Sequence, residues 1–306
     1  MKDEILFGIC ADVHHGANSD NRWRLSKFVD EAKERNADFI IQLGDFTLPN
    51  EHGAELLEVW NRFEGPKYHV LGNHDTEHAG KEAMMKFLGM PNKYYSFDMG
   101  DYHFIVLDTN FSKIGDQYVD YSADNYHKDF FNCYIPTEQL EWMEADIAAT
   151  NKRCFLFTHA TLLQGQWSIY NIHQFEDIIF RINQKAGFNK VTMCFSGHDH
   201  ADEYLFKGGV HYLLMNSMSH RYIGPLYTEF ASSAPDVEKD YGELKFVVPY
   251  KDPLYAFVRL KKSGFVQIIG KQSEYVGNSP FELHWPHSCA PQISYRELWM
   301  NGYGEL

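Results

Sequence analysis

Five short apolar segments of this chain each end directly in residues whose side chains can bind metal ions. The segments cover residues 5–11, 39–43, 68–71, 154–157 and 191–195. Continuous apolar runs of this length are typical of strands buried on both faces of a parallel sheet. Loops at the carboxyl ends of such strands gather ligands, so residues far apart in sequence can meet there. These runs predict an α/β fold in which the polar residues converge on one site.

The polar fragments after these runs carry carboxylate, amide and imidazole side chains and no cysteine. They are Asp12-Val13-His14, Gly44-Asp45, Gly72-Asn73-His74-Asp75, His159 and Gly197-His198-Asp199-His200. Oxygen and nitrogen ligands of this kind suit divalent ions such as Mn, Fe, Zn, Co or Ni. A carboxylate such as that of Asp45 can bridge two cations about 3.5 to 4 Å apart. The fragments therefore indicate a single two-metal site.

Each fragment also has a structural interpretation when it is taken alone. A strand-end Asp such as Asp12 is often a turn or helix-capping residue, and a lone strand-end His such as His159 is more often structural. A turn at Gly72-Asn73 leaves His74 unexplained. The imidazoles of His198 and His200 are spaced so that they can reach two ions at once, with a surface pair as the alternative. Only the five fragments together, in this order, favour the metal site.

The order Asp-x-His, Gly-Asp, Gly-Asn-His-Asp, strand-end His and Gly-His-x-His resembles the motifs of the calcineurin-like metallophosphoesterases. The resemblance spans roughly residues 5 to 215. It implies two divalent ions, with Mn or Fe favoured and Zn, Co or Ni possible. The ligand sets that it implies are Asp12, His14, Asp45 and His200 for one ion, and Asp45, Asn73, His159 and His198 for the other.

The same resemblance implies a binuclear phosphohydrolase in which His74 is the catalytic proton donor. Two cations that share a water lower its pKa from 15.7 toward about 7 and so supply a hydroxide that attacks phosphorus. They also neutralise charge that develops in the transition state. His74, with an unperturbed pKa near 6.5, would protonate the departing alkoxide, and Asp75 is an available partner for its ring.

Two classes of nucleotidic substrate stay possible. The chain from His159 onward resembles enzymes that act on cyclic nucleotides or on ADP-ribose and CDP-alcohol pyrophosphates. However, Ala160-Thr161 stand where many members of the family have His and Pro. The substrate class of this chain should therefore not be inferred from those members. Gly44-Asp45 continues as Phe46-Thr47-Leu48, unlike the protein phosphatase branch. The alternatives are a phosphomonoesterase of the same family and a non-catalytic metal-binding scaffold, which the complete set of ligands disfavours.

Candidate substrate contacts lie outside the ligand set. Asn110 ends a predicted strand near the metals, and His220 with Arg221 follows an apolar run and could meet a phosphate. The aromatic segment 111–134 could stack on a base or sugar, or pack against the domain. His15 adjoins His14, and exposure on a loop is its expected state.

Helical patterns alternate with the strands and complete the predicted fold. They cover residues 21–35, 54–63, 81–88, 137–150 and 172–185. Further strands are predicted at 94–97, 102–107, 204–206, 210–215, 254–260 and 265–269. The pattern predicts two packed β-sheets flanked by helices, a four-layer αββα sandwich. We expect one domain over residues 1–275, with the insertion 111–134, and a C-terminal extension over 276–306 that packs on it.

Composition restricts the partners and the compartment. The net charge of −14 disfavours binding to nucleic acid or to anionic membranes, so we expect a small phosphorylated, nucleotidic substrate. The five cysteines show neither zinc-binding nor disulfide spacing, which favours a reducing compartment. The first strand follows the N-terminus without an apolar signal segment, which predicts a cytoplasmic protein, although a trimmed secreted form would look the same. The oligomeric state stays open.

Overall fold

The computed structural model describes residues 2–14, 20–122, 133–163, 168–224, 246–287 and 289–302. Strands and helices alternate along these residues. The strands are β1 (Glu4–Cys10), β2 (Phe39–Gln42), β3 (Lys67–His69), β4 (Tyr95–Met99), β5 (Tyr102–Val106), β6 (Phe111–Ile114), β7 (Gln117–Asp120), β8 (Arg153–Phe157), β9 (Val191–Ser196), β10 (Glu203–Lys207), β11 (Val210–Leu214), β12 (His220–Tyr222), β13 (Val247–Pro249), β14 (Ala256–Lys261), β15 (Phe265–Ile269) and β16 (Arg296–Trp299). The α-helices are α1 (Asn21–Glu34), α2 (Glu51–Asn61), α3 (Lys81–Leu88), α4 (Thr137–Ala149) and α5 (Ile172–Ala186).

Two six-stranded sheets form the centre of the molecule. The first has the order β16-β15-β14-β1-β2-β3 and the second the order β10-β11-β9-β8-β5-β4. Strands β1, β2 and β3 run parallel to one another, and so do β5, β8, β9 and β11. The five predicted apolar strands are β1, β2, β3, β8 and β9. Their parallel pairing brings the carboxyl ends within each sheet to one edge.

The two sheets pack face to face through aromatic side chains. The ring of Phe7 on β1 stacks on Phe39 of β2 at a centroid distance of 4.7 Å. It also meets Phe104, Phe157 and Phe195 of the second sheet edge-on at 5.9 to 6.0 Å. Edge-to-face pairs add to the stabilisation that comes from burial alone. This aromatic core fixes the position of the first sheet against the second.

Helices cover both outer faces, so the predicted four-layer αββα sandwich is confirmed. Helices α1, α2 and α3 pack on the first sheet, and α4 and α5 pack on the second. Helix α2 begins at Glu51 and not at the predicted residue 54. The Asn50 side chain accepts a hydrogen bond from the Gly53 backbone N–H at 2.8 Å and caps the helix. Gly53 in the first turn weakens the helical pattern of the sequence, so the predicted helix started too late.

The predicted aromatic insertion 111–134 is described in part. Its first half forms the hairpin β6–β7, and the Phe111 ring lies beneath the Lys81 ammonium at 3.5 Å. Tyr121 is buried, with its hydroxyl 3.7 Å from Cys133 Sγ. These residues pack against the domain. Residues 123–132, which include the aromatic residues Tyr126, Phe130 and Phe131 of this segment, lie outside the described residues, as does His15.

The predicted C-terminal extension contributes to the core sheet. Strand β16 pairs with β15 at the edge of the first sheet. Near residue 285 the segment joins a small apolar cluster that contains Ile223, Val248 and Leu283. The boundary between residues 275 and 276 stays a prediction.

The Asp75 carboxylate fastens the loops that follow β2 and β3 to each other. Its Oδ1 accepts hydrogen bonds from the backbone N–H groups of Phe46 at 2.8 Å and Thr47 at 3.1 Å. Its Oδ2 accepts from Gly72 at 2.7 Å and Asp45 at 3.1 Å. The loops approach so closely that a Cβ on Gly72 would lie 2.1 Å from the Asp45 backbone nitrogen. Glycine is therefore required at position 72.

Substitution of Asp75 by Asn should destabilise the fold. The amide keeps one accepting oxygen but turns an NH₂ group toward backbone donors, so two hydrogen bonds to a charged acceptor are lost. We expect the free energy of unfolding at pH 8 to fall by roughly 2 to 5 kcal/mol, measured by urea denaturation. The control is Asp30→Asn, which removes an exposed ion pair with Arg62 and should change stability by less than about 1 kcal/mol. Equal effects of the two variants would contradict this role of Asp75.

Candidate metal centre

The polar fragments after the central strands meet in one cluster. Three sets of potential ligand atoms each lie within 4.8 Å of one another. Two residues, His14 and Asp45, belong to more than one set, so the sets form a continuous group. The sets are His14, His200 and His220; His14, Asp45 and His74; and Asp45, His159 and His198.

The Asp45 carboxylate lies between an imidazole that follows a strand of the first sheet and one that follows a strand of the second. Its Oδ2 is 3.5 Å from His14 Nε2 and 3.2 Å from His159 Nε2. Its Oδ1 accepts a hydrogen bond from the backbone N–H of His74 at 2.8 Å. One side chain thus contacts imidazoles that follow β1 in the first sheet and β8 in the second.

The remaining donors divide into two groups around Asp45. On one side, His14 Nε2 and His200 Nε2 lie 3.0 Å apart, and Asp12 Oδ1 is 3.4 Å from His200 Nε2. On the other side, His159 Nε2 lies 2.9 Å from Asn73 Oδ1 and 3.2 Å from His198 Nδ1. This division has the same membership as the two ligand sets that the family resemblance implies.

The surroundings of His159 suit a cation. Its Nδ1 donates to the Leu43 carbonyl oxygen at 2.8 Å, which orients the ring as outer hydrogen bonds do for metal-binding histidines. Its Nε2 then faces the oxygens of Asn73 and Asp45 and a ring nitrogen of His198. Electron pairs converge there, so a proton or a metal ion must lie among them. The same orientation holds at His200, whose Nδ1 lies 3.0 Å from the His220 carbonyl oxygen.

Electrostatics in the cluster are consistent with competition between protons and metal. Burial and, to a smaller extent, the charge of His159 together lower the pKa of His198 to about 3. At His159, burial opposes the charged ring, but the Asp45 carboxylate raises the pKa to about 10. Burial likewise opposes charge on Asp45, yet His159 and His74 hold the pKa of that carboxyl well below its usual range. A bound cation would take the place of the proton that His159 carries.

Backbone conformation at the ligand positions is unusual. Seven described residues other than glycine have a positive φ, and five of them belong to the predicted ligand set. Such conformations cost on the order of 1 to 3 kcal/mol each and cluster at functional sites. At Asp12 and His14, and again at His198 and His200, they occur two residues apart in the same loop. The five are Asp12 (φ 52°), His14 (48°), Asp45 (51°), His198 (77°) and His200 (48°).

His74 lies at the rim of the cluster, with 27% of its side chain exposed. Its ring centroid is 4.9 Å from that of His14. Asp75, the partner that the sequence suggested, uses both carboxylate oxygens on backbone N–H groups. Glu77 reaches the ring, with Oε2 3.3 Å from Nδ1. The spacing of three residues on a helical turn was the signal that could have revealed Glu77.

The predicted substrate contacts support the ligand loops. Asn110 is fully buried, and its Nδ2 donates to the Leu71 carbonyl oxygen at 2.6 Å. Arg221 Nη1 donates to the carbonyl oxygens of Asp199 and His200. The His220 ring is buried within the cluster. Substrate binding by these three residues stays a prediction.

Several residues near the site had no signal in the sequence. Arg24 is almost fully buried, pairs with Asp20 at 2.7 Å and leaves Nη1 without a hydrogen-bond partner. Ser217 Oγ donates to the Asp12 carbonyl oxygen at 2.8 Å. Isolated serines and arginines are too common for such long-range contacts to be inferred from composition or spacing.

Comparison with known proteins agrees with this geometry. The sequence model of the family described as "Calcineurin-like phosphoesterase" matches residues 5–202. A protein of Arabidopsis thaliana named manganese-dependent ADP-ribose/CDP-alcohol diphosphatase is 24% identical over an alignment length of 265, and the match covers 67% of this chain and 83% of that protein. A protein of the same name from Oryza sativa subsp. japonica is 26% identical over an alignment length of 269, and the match covers 70% of this chain and 81% of that protein.

A solved structure has a similar fold at low identity. The crystal structure of a dimetal phosphatase from Danio rerio aligns with a TM-score of 0.63 and 13% identity, covering 90% of this chain and 99% of that chain. Within the described residues, no helix has the length and apolarity needed to cross a membrane. The cytoplasmic location stays a prediction.

The family match extends over more than half of the chain and includes every fragment of the cluster. The donors are carboxylate and amide oxygens and imidazole nitrogens, which are suitable ligands for divalent ions such as Mn and Fe. This chain belongs to the calcineurin-like phosphoesterase family and is a metal-dependent phosphohydrolase with a binuclear centre.

Proposed function

We propose that the chain is a diphosphatase that hydrolyses a small nucleotidic substrate of the ADP-ribose or CDP-alcohol class. Both plant relatives are named for this activity, and each is matched over more than four fifths of its length. The observation that carries the proposal is the position of Asp45, whose Oδ2 lies 3.5 Å from His14 and 3.2 Å from His159. A shared carboxylate between two groups of imidazoles suits a pair of cations that clamp a phosphoryl group.

The proposed ligands follow the two groups of donors. Asp45 belongs to both sets, and its contacts on either side support that assignment. When bound, the cations supply positive charge that stabilises phosphoryl oxygens and lowers the pKa of a bound water toward neutrality. One set is Asp12, His14, Asp45 and His200, and the other is Asp45, Asn73, His159 and His198.

His74 is the proposed proton donor to the leaving group. Its ring is partly exposed beside His14, so a substrate oxygen can approach it without displacing the buried ligands. Its backbone N–H is bound to Asp45 Oδ1, which fixes the residue next to the centre. Glu77 Oε2 lies 3.3 Å from its Nδ1, a contact that would orient the ring for proton transfer to the leaving group.

Charge also favours a small substrate. The formal net charge of the chain is −14, which opposes the multiple phosphate contacts that nucleic acid requires. A nucleoside diphosphate derivative needs favourable potential only at its two phosphates. The bound cations would provide that potential locally.

A substrate panel tests the proposal directly. Protein freed of metal and reloaded with Mn should hydrolyse ADP-ribose or a CDP-alcohol with a higher kcat/KM than cyclic nucleotides, aryl phosphodiesters or phosphomonoesters, because only diphosphates present two phosphates to the centre. Products are measured by chromatography of the released nucleoside monophosphate. Preference for a cyclic nucleotide or a phosphomonoester would replace the proposed substrate class. Bound metal without turnover of any compound would instead indicate a scaffold.

Asp45→Asn tests the shared ligand. The amide has one good ligand oxygen and no charge, so the protein should lose at least one of its two ions under conditions where the wild type keeps both. Metal content is measured by plasma mass spectrometry after gel filtration. Asp98→Asn is the matched control, because Asp98 is a partly exposed residue that pairs with His103 and Lys152 far from the cluster. Retention of two ions by Asp45→Asn would contradict the assignment.

His74→Ala tests the proton donor through its dependence on the leaving group. With an alkyl phosphodiester, whose alkoxide is a poor leaving group, kcat should fall by about 10² to 10⁴. With ADP-ribose the leaving group is a phosphate monoester with a second pKa of about 6, so the loss should be smaller. Metal content should not change. Equal losses on both substrates would show that His74 does not donate the proton.

A further inference from the structure

His220 is a histidine of the cluster that the proposed ligand sets do not include. It begins β12, only 2% of it is exposed, and its ring centroid lies 5.1 Å from that of His14 and 4.8 Å from that of His200. A ring nitrogen of His220 lies within 4.8 Å of ligand atoms of both residues. The His14 and His200 rings are themselves 5.0 Å apart, so the three ring centroids form a nearly regular triangle.

Hydrogen bonds fix the orientation of the ring. His220 Nδ1 lies 2.9 Å from Ser219 Oγ, and Ser219 Oγ lies 3.3 Å from the buried Val13 carbonyl oxygen. If the hydroxyl donates to Val13 and accepts from Nδ1–H, all three groups have partners, as buried polar groups require. Nε2 then carries the free electron pair. Nε2 is therefore available as a ligand atom.

The backbone couples His220 to an adjacent proposed ligand. The His220 carbonyl oxygen accepts from His200 Nδ1 at 3.0 Å, and the His220 N–H donates to Ser217 Oγ at 3.3 Å. Ser217 in turn holds the Asp12 carbonyl at 2.8 Å. Main chain and side chain of His220 are therefore both fixed against residues that follow β1 and β9. A ring held in a fixed orientation is poorly suited to move with a phosphate group of the substrate during the reaction.

We propose that His220 Nε2 is a further ligand of the cation assigned to Asp12, His14, Asp45 and His200. The inference rests on the ligand assignment proposed above, and it replaces the phosphate contact predicted for His220 from the sequence. The two cation sites then differ. One has three imidazoles among its protein donors, and the other has two imidazoles and the amide of Asn73. The first site is expected to hold its ion more tightly and to leave fewer positions for substrate.

The test is a Mn titration of His220→Ala by equilibrium dialysis, with bound metal counted by plasma mass spectrometry. The wild type should bind two Mn per chain, and the variant should bind one of them at least about tenfold more weakly, as loss of even an outer partner of a metal ligand does. Ser219→Ala, which releases the Nδ1 hydrogen bond, should weaken the same site by a smaller factor. Should His220→Ala fail to fold, as judged by circular dichroism, Ser219→Ala carries the test.

His211→Gln is the matched control. His211 is equally buried, but its ring nitrogens lie 2.9 Å from the Tyr204 hydroxyl and 2.8 Å from the Trp299 carbonyl oxygen, away from the cluster. This variant should keep both Mn affinities. Wild-type Mn affinities in folded His220→Ala, with or without a raised KM, would overturn the inference. If Asp45→Asn also kept both ions, the ligand assignment itself would fail, so the two failures can be told apart.

Discussion

A single buried carboxylate, that of Asp45, joins the two halves of this molecule at the centre. It follows β2 in the first sheet, yet its Oδ2 is 3.2 Å from His159, which follows β8 in the second. Burial of such a group is unfavourable unless opposite charge and hydrogen bonds compensate. The charges of His159 and His74 and the His74 backbone N–H provide that compensation within the chain. Two cations would do so more fully, which makes metal binding and folding of these loops interdependent.

The loops at this centre are held in conformations that an isolated peptide would avoid. Five ligand residues have positive φ, and Gly44, with φ +99°, has no room for a side chain because a Cβ would lie 2.5 Å from His159 Nδ1. The sheets compensate through their aromatic core, and Asp75 ties the loops after β2 and β3 with four backbone hydrogen bonds. The rigid sandwich thus maintains a strained and electrostatically demanding site. This division of roles explains why the loops carry the chemistry and the strands carry the stability.

Much of the fold and the membership of the cluster could be predicted because the chain marks them locally. Strands buried on both faces appear as continuous apolar runs, and their ends are where polar residues must gather. The contacts of Arg221 and Arg24 could not be predicted, because each depends on side chains or carbonyls that are distant in sequence and meet only in the folded chain. The orientation of His220 belongs to the same class. The start of α2 was misplaced because Gly53 weakens the helical pattern, whereas the cap from Asn50 is visible only in three dimensions.

Anomalous diffraction from crystals of the Mn-loaded protein would locate the metal ions relative to Asp45. The shared position of Asp45 predicts two Mn peaks per chain, about 3.5 to 4 Å apart, with the Asp45 carboxylate between them and the imidazoles of His14 and His159 on opposite sides. A single peak, or two peaks that do not share Asp45, would contradict it.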